Sequence, residues 1–198
     1  MIKNSVCALM LLCMSLLVGC QRPSVQALSI PAQTQMSRAI TLDAVPDSAK
    51  TVYFKLQNET ELSSSYMIAQ IRRRLQSQGF KFESNPQYAH YVLNVDVKRV
   101  VRVNQDIALA IGASPYNVSL ATVPLDPKGK DGFYTGVADI KLVEKAAYAP
   151  GGRRVYCSRL VAYPQQQNIK RRVAEPIIEH ALAKHIAAVF NDEFTISS

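Results

Sequence analysis

Cysteine is scarce in the part of this chain that can fold. Of the four cysteines in 198 residues, Cys7 and Cys13 lie inside an N-terminal apolar run and Cys20 ends it. Only Cys157 remains beyond this point, so the folded part has no internal disulfide and must be stabilised by its hydrophobic core. We expect Cys157 to be a small buried strand residue. An intermolecular disulfide or a reactive thiol is the alternative.

Sequence motifs for catalysis and metal binding are also missing. The chain has no G-x-S-x-G, and Gly129-Lys130 lacks the other residues of a phosphate-binding loop. The 15 acidic residues show no paired spacing that would suggest an acid/base dyad. His180 and His185 are five residues apart and do not share a helix face as a metal-binding pair would, and His90 is remote in sequence. We therefore predict no enzymatic activity, no cofactor and no metal site.

The N-terminal apolar run is too short to span a bilayer comfortably as a helix, which needs about 20 apolar residues. Lys3 is followed by residues 5–19, which carry no charge and end in small residues. A basic start, a short apolar middle and small residues before a cleavage point are typical of an export signal, predicted here over residues 1–19. An uncleaved anchor helix is the alternative.

The end of this run, Leu17-Val18-Gly19-Cys20, resembles the lipobox of bacterial lipoprotein precursors. The resemblance implies that Cys20 receives a diacylglyceryl thioether, that the chain is cut before Cys20, and that the new amine is acylated. Several acyl chains hold a protein firmly to a membrane, whereas one holds it only marginally. In that class of protein, Gln21 in place of an aspartate favours the outer membrane. An ordinary secretory signal with a chance cysteine is the alternative.

Acidic residues are outnumbered by basic ones, which gives a formal net charge of +8. This balance favours anionic partners, namely phospholipid headgroups, lipopolysaccharide or nucleic acid. Export, together with aromatic residues that do not interleave with the basic runs, argues against nucleic acid. The trio Arg72, Arg73 and Arg74 fits either a solvated helix face or a contact with an anionic surface.

The chain after the signal divides into a tether and one domain. Residues 20–38 are rich in Gln, Ser and Pro and are predicted to be a flexible lipidated tether, and residues 39–198 form a single domain. Periodicity predicts strands at 50–57, 80–82, 91–97, 133–144 and 153–163, and helices at 66–78 and 174–190, with Pro176 in the first turn of the second helix. Residues 63–65 offer serine caps for the first helix, and Gly79 ends it. The alternation slips at residues 99–101, which suggests a bulge or the end of the strand, and the last two strands suggest a hairpin. The predicted fold class is α+β, in the order β-α-β-β-β-β-α, with a mostly antiparallel sheet packed against two helices.

One segment does not follow this rhythm. Residues 104–132 contain two short apolar arms on either side of a turn at Ser114-Pro115-Tyr116-Asn117. Neither arm is long enough to cross a membrane as a helix. We expect a hairpin or loop packed on the domain, with a loop that touches membrane or a second subunit as the alternative.

Besides the lipobox, a series of residues along the chain is shared, in the same order, with a known family: Thr34-Gln35-Met36-Ser37, Thr51-Val52, Gly79, Pro86, Ala89, Tyr91, Tyr134-Thr135, Asp139-Ile140, Pro176, Glu179, Leu182-Ala183-Lys184 and Ile186-Ala187. Through these residues nearly all of the mature chain resembles the TraT family of surface-exclusion and complement-resistance lipoproteins. Typical members have a long Gly/Ala-rich hydrophobic insertion where this chain has only residues 104–132.

The resemblance implies a homo-oligomeric outer-membrane lipoprotein that acts by contact at the cell surface and not by catalysis. Its roles would be surface exclusion, which blocks redundant plasmid entry during conjugation, and resistance to complement. The alternative that we keep open is an accessory envelope lipoprotein of a secretion or lipopolysaccharide-transport machine.

Overall fold

The computed structural model describes residues 29–121, 132–145 and 152–191. Its strands are β1 Ala32–Met36, β2 Thr51–Asn58, β3 Lys81–Phe82, β4 Tyr91–Val103, β5 Phe133–Glu144 and β6 Arg154–Pro164, and its α-helices are α1 Ser64–Ser77, α2 Gln105–Ala113 and α3 Arg171–Ala188. A single 3₁₀ turn, Asp47–Ala49, precedes β2. This confirms the predicted α+β class, with one strand and one helix more than the sequence pattern indicated.

The six strands form one mixed sheet in the order β1-β6-β5-β4-β2-β3. The pairs β1–β6, β6–β5 and β5–β4 are antiparallel, whereas β2 pairs in parallel with β4 and with the two-residue β3. Parallel neighbours need a long crossover, and α1 supplies it between β2 and β4. The predicted hairpin of β5 and β6 is confirmed, with Asp139 opposite Arg159 in its register.

Two helices cover one face of the sheet. Helix α1 begins at the Ser63 cap, whose Oγ accepts the Tyr66 N–H at 3.3 Å, and it buries Met67, Ile71 and Leu75 at helical spacing. After α1, Gly79 adopts a positive φ of 88°, the left-handed conformation that ends helices. The largest residues that α3 buries are Ile178, Leu182 and Ile186.

The start of α3 corrects one prediction. Pro176 lies inside the helix and not in its first turn, because the helix already begins at Arg171. The early start is favoured by an i,i+4 ion pair in which Arg171 Nε lies 2.8 Å from Glu175 Oε1. Pro176 has no N–H, so one backbone hydrogen bond of α3 is absent at that position.

Because of a β-bulge, β4 contributes apolar side chains to both faces of the sheet. The register with β5 passes from Val97–Ala138 to Arg99–Val137, which leaves Lys98 without an opposite residue. Before the bulge, odd-numbered residues such as Val97 pack beneath α1 and α3. After it, Val101 and Val103 point to the opposite face, where they pack against α2. The predicted phase slip at residues 99–101 is therefore confirmed, since an extra residue inverts the alternation.

The predicted tether is wrong for residues 32–36. These residues form β1, an edge strand that pairs with β6 from Ala32–Pro164 to Met36–Leu160. The folded part therefore includes β1, ahead of residue 39. The sequence of β1 is polar and shows no strand pattern. The strand forms through long-range contacts, which are backbone pairing to β6 and a 2.8 Å hydrogen bond between Thr34 Oγ1 and His185 Nδ1 of α3.

Candidate functional site

The lipidation residue predicted from sequence, Cys20, lies outside the described residues. The part of residues 104–132 that the structure describes, residues 104–121, forms a candidate contact region. It comprises α2 and the loop that follows, and it lies on the sheet face opposite α1 and α3. No helix in the described ranges is long and apolar enough to cross a membrane.

Helix α2 replaces the hairpin or loop that the sequence suggested. The Asn104 side chain caps its first turn, where Oδ1 accepts the Ile107 N–H at 2.9 Å. Ala108 and Ile111 are buried against the sheet. At Gly112 the helix lies so close to the sheet that an added Cβ would lie 2.8 Å from Val161 Cγ2. The nearly uniform apolar composition of α2 obscured its helical period, and contact with the sheet decides which face is buried.

The outer surface of this region carries apolar residues beside polar ones. Leu109 is 41% exposed and Val118 is 46% exposed, and the small residues Ala110 and Ala113 are exposed on α2. Large apolar side chains that are exposed in one region favour a contact site over a solvated face. This region is therefore suited to contact with another apolar surface.

A buried ion pair holds the loop after α2 against the sheet. Arg159 is 1% exposed and Asp139 is 2% exposed, and the guanidinium donates to both carboxylate oxygens at 2.8 and 3.0 Å. Arg159 also donates to Ser114 Oγ and to the Val118 carbonyl, each at 2.8 Å. The Asn117 N–H donates to Asp139 Oδ2 at 3.1 Å. Each charge is thus satisfied several times, as a buried pair requires.

Sequence reasoning did not identify this pair as a functional element. The available signal is a charged residue inside the apolar run of each hairpin strand, Asp139 in β5 and Arg159 in β6. Asp139 and Arg159 face each other only in one register of the hairpin, and the sequence between the two strands does not predict that register.

A cavity of about 580 Å³ lies beside the ion pair, lined in part by Arg99, Val118 and Leu120. Its charged groups bind elements of the chain itself. Arg99 Nη1 donates to the Leu120 carbonyl at 3.0 Å, and Lys98 pairs with Asp96 and with Glu59. The arrangement therefore ties the loop to β4 and gives no grouping of acid, base and nucleophile.

The three histidines lie in separate environments. His180 Nδ1 is 3.4 Å from the Tyr66 hydroxyl, and His185 contacts β1. His90 Nε2 is 3.8 Å from Glu144 Oε1, yet burial lowers the pKa of His90 more than the carboxylate raises it. Within the described ranges, no three His, Cys, Asp or Glu residues are grouped to hold a metal. Cys157 is half-buried, not fully buried as expected.

Comparison with known proteins points to one family. The model of the enterobacterial TraT complement resistance protein family matches residues 29–124. A TraT complement resistance protein of Escherichia coli is 26% identical, over 86% of this chain and 90% of that protein. Another, from Escherichia coli strain K12, is 22% identical over 86% of this chain and 91% of that protein. These matches support membership of the TraT family.

The similarity to TraT proteins supports a membrane-associated lipoprotein. The alignments to the TraT relatives run over 223 positions, more than the 198 residues of this chain, so the relatives carry residues that it lacks.

Solved structures resemble the fold only distantly. A PelC dodecamer from Paraburkholderia phytofirmans has a TM-score of 0.39 and 15% identity, over 80% of this chain and 94% of that chain. A minor lipoprotein from Acinetobacter baumannii has a TM-score of 0.33 and 11% identity, over 71% of this chain and 91% of that chain. Similarity at this level carries no argument about the assembly or activity of this chain.

Proposed function

We propose that this chain is an outer-membrane lipoprotein, anchored through acylated Cys20, that acts without catalysis at the cell surface. Its role is surface exclusion in conjugation, resistance to complement, or both. The observation that carries the proposal is the match to TraT complement resistance proteins over nearly their whole length. The proposal includes assembly into a homo-oligomer, which the family resemblance supports.

The chemistry of the described core favours contact over catalysis. Arg159 and Asp139 hold a loop, and Lys98 pairs with Asp96 and Glu59. Groups occupied in this way stabilise the fold and are not free to react with a substrate. The exposed apolar residues Leu109 and Val118 are the surface that this reasoning offers for contact.

The anchor is tested by palmitate labelling and membrane fractionation. Cys20→Ser should abolish incorporation of labelled palmitate and release the protein from the outer-membrane fraction, because no acyl chain remains to hold it. Cys157→Ser is the matched control, since it removes the other thiol outside the signal and should leave labelling unchanged. Equal labelling of the Cys20→Ser variant and the unsubstituted protein would contradict the anchor.

The role is tested in cells that carry the chain, the Cys20→Ser variant or neither. The acylated protein should lower the entry of a conjugative plasmid, raise survival in serum, or do both, and the unacylated variant should do neither. Protease treatment of intact and permeabilised cells reports which side of the membrane exposes the domain. If the protein lies in the outer membrane but has neither effect, and if it is recovered in a stoichiometric complex with a different envelope protein, the accessory-lipoprotein alternative is favoured.

A further inference from the structure

The α1–α3 layer carries a group of cations that its own acidic residues do not neutralise. We name this group the basic helix surface; it comprises Arg72, Arg73, Arg74 and Lys184. Arg72, Arg73 and Lys184 are exposed and Arg74 is half-buried. Helix α1 contains no acidic residue at all. Across the described part of the chain, none of these four cations lies within 4.0 Å of a carboxylate among the ion pairs found.

The acidic residues near this layer are occupied elsewhere. Glu179 is 9% exposed, and its Oε1 accepts the backbone N–H of Ser63 at 2.6 Å. Glu175 and Glu61 both pair with Arg171, at 2.8 and 2.6 Å. These carboxylates therefore compensate other groups, and the basic helix surface keeps its positive field.

The two helices bring these cations together. Hydrogen bonds from Ser63 to Glu179 and from Gln78 to Ala187 follow the same order along both helices, so α1 and α3 run in the same direction. The pKa of His180 is lowered first by burial and then by the positive charges of Arg74, Lys184 and Arg73. Arg73, Arg74 and Lys184 thus act on one point and form a single electrostatic patch. Arg72 adjoins this patch on α1, with its guanidinium 5.0 Å from the centre of the Phe82 ring.

The surface also lies close to the point where the chain enters the domain. Strand β1 is the first strand after the proposed anchor, and it contacts α3 through the 2.8 Å bond from Thr34 to His185, the neighbour of Lys184. The chain between Cys20 and Ala32 can span at most about 40 Å when fully extended. An acylated Cys20 would therefore keep the domain within that distance of the leaflet.

We propose that the basic helix surface docks on anionic phospholipid headgroups of the leaflet that holds the lipid anchor. The charge of the patch complements phosphate headgroups, and arginine binds phosphate through several donors at once. Docking would fix the orientation of the domain on the membrane and turn the opposite sheet face, with α2, away from it. The proposal rests on the proposed membrane anchoring for its setting, but the binding itself is testable without the anchor.

The test uses the chain from residue 20 onward with Cys20→Ser, so that acylation contributes nothing. Sedimentation with vesicles measures the partition coefficient. Vesicles of phosphatidylcholine with about 30 mol% phosphatidylglycerol should bind the protein at low salt, and pure phosphatidylcholine should not. Raising the salt from about 50 mM to about 500 mM should release it, because screening weakens the attraction between exposed charges.

Paired variants locate the binding surface. Each cation near an anionic leaflet raises partitioning about fivefold, so Arg73→Gln with Lys184→Gln should lower it about 25-fold. The matched control is Lys55→Gln with Lys141→Gln, which removes the same charge from exposed residues on the opposite face, on either side of Asn94. The control pair should change partitioning less than about twofold, and urea unfolding should show both pairs folded to a similar stability.

Three results would overturn the docking proposal. They are equal binding to both vesicle types, equal loss in the two variant pairs, and no loss in the Arg73 and Lys184 pair. Binding to lipopolysaccharide without binding to phosphatidylglycerol would also overturn it and would identify a different anionic surface. A failure of palmitate labelling would leave this measurement unaffected, so the two proposals fail separately.

Discussion

Replacing Arg159 by methionine is the sharpest test of how the candidate contact region is held. The change removes the guanidinium but keeps an apolar stem of similar length in the core. It leaves the Asp139 carboxylate buried without its cation and removes the donors to Ser114 Oγ and the Val118 carbonyl. Removing one partner of a buried pair costs about 3–5 kcal/mol, because the remaining charge is uncompensated.

The expected loss is a large share of the stability of the domain. Domains unfold with a free energy of about 5–15 kcal/mol, so Arg159→Met should leave a folded but weakened protein or one close to its threshold. With a urea slope of about 2 kcal/mol/M, a cost of about 4 kcal/mol lowers the urea midpoint by about 2 M. Amide exchange should rise at Asn117, whose N–H donates to Asp139.

Urea unfolding followed by circular dichroism measures the loss, with Arg153→Met as the matched control. Arg153 is exposed just before the same strand, so its replacement should change stability by less than about 0.5 kcal/mol. The double variant Arg159→Met with Asp139→Leu should recover most of the loss, since no unpaired charge remains. A cost below about 1 kcal/mol for Arg159→Met, or no recovery in the double variant, would refute the reasoning.

Three further changes test the packing, a histidine and the α2 cap. Gly136→Ala would place a Cβ 2.3 Å from Ile178 Cγ2 and should cost about 1–3 kcal/mol in urea unfolding; adding Ile178→Ala should relieve part of that cost, and strictly additive losses would contradict the contact. Burial lowers the pKa of His185 below its ordinary 6.5, so the unfolded chain binds the proton more tightly and stability should fall as the pH drops through about 6.5. His185→Asn should therefore lose less stability than the unsubstituted protein between about pH 7.5 and about pH 5.5, and an identical loss would exclude this role. Asn104→Ala should cost about 0.5–2 kcal/mol and raise amide exchange at Ile107, whereas unchanged exchange there would show that the cap does not hold α2.

The elements with strong local patterns were predicted well. The alternation of β2 and β4, the apolar stripe of α1 with its serine cap and terminal glycine, and the β5–β6 hairpin are all present. In each case one periodicity and one set of end signals agree, so local sequence is sufficient. Even the bulge in β4 was visible as a break in alternation.

The elements that depend on distant partners were missed. Strand β1 has a polar sequence and forms because β6 offers an unpaired edge and α3 offers His185. Helix α2 has an almost uniformly apolar sequence, and only the sheet beneath it separates its buried residues from exposed Leu109. The Arg159–Asp139 pair depends on strand register, and the basic helix surface depends on two helices that are about one hundred residues apart in the chain.

The amino-acid sequence by itself determined the α+β class and the positive charge, because these follow from local periodicity and from composition. It also predicts an export signal over residues 1–19, followed by Cys20. Only the tertiary structure decided which charges are buried and paired and which stay exposed without a carboxylate beside them. Whether a charge is paired depends on its distance in space from residues that are far away in the sequence. The arginines of α1 keep a positive field because nearby carboxylates bind other groups, whereas Arg159 is neutralised by a strand neighbour twenty residues away.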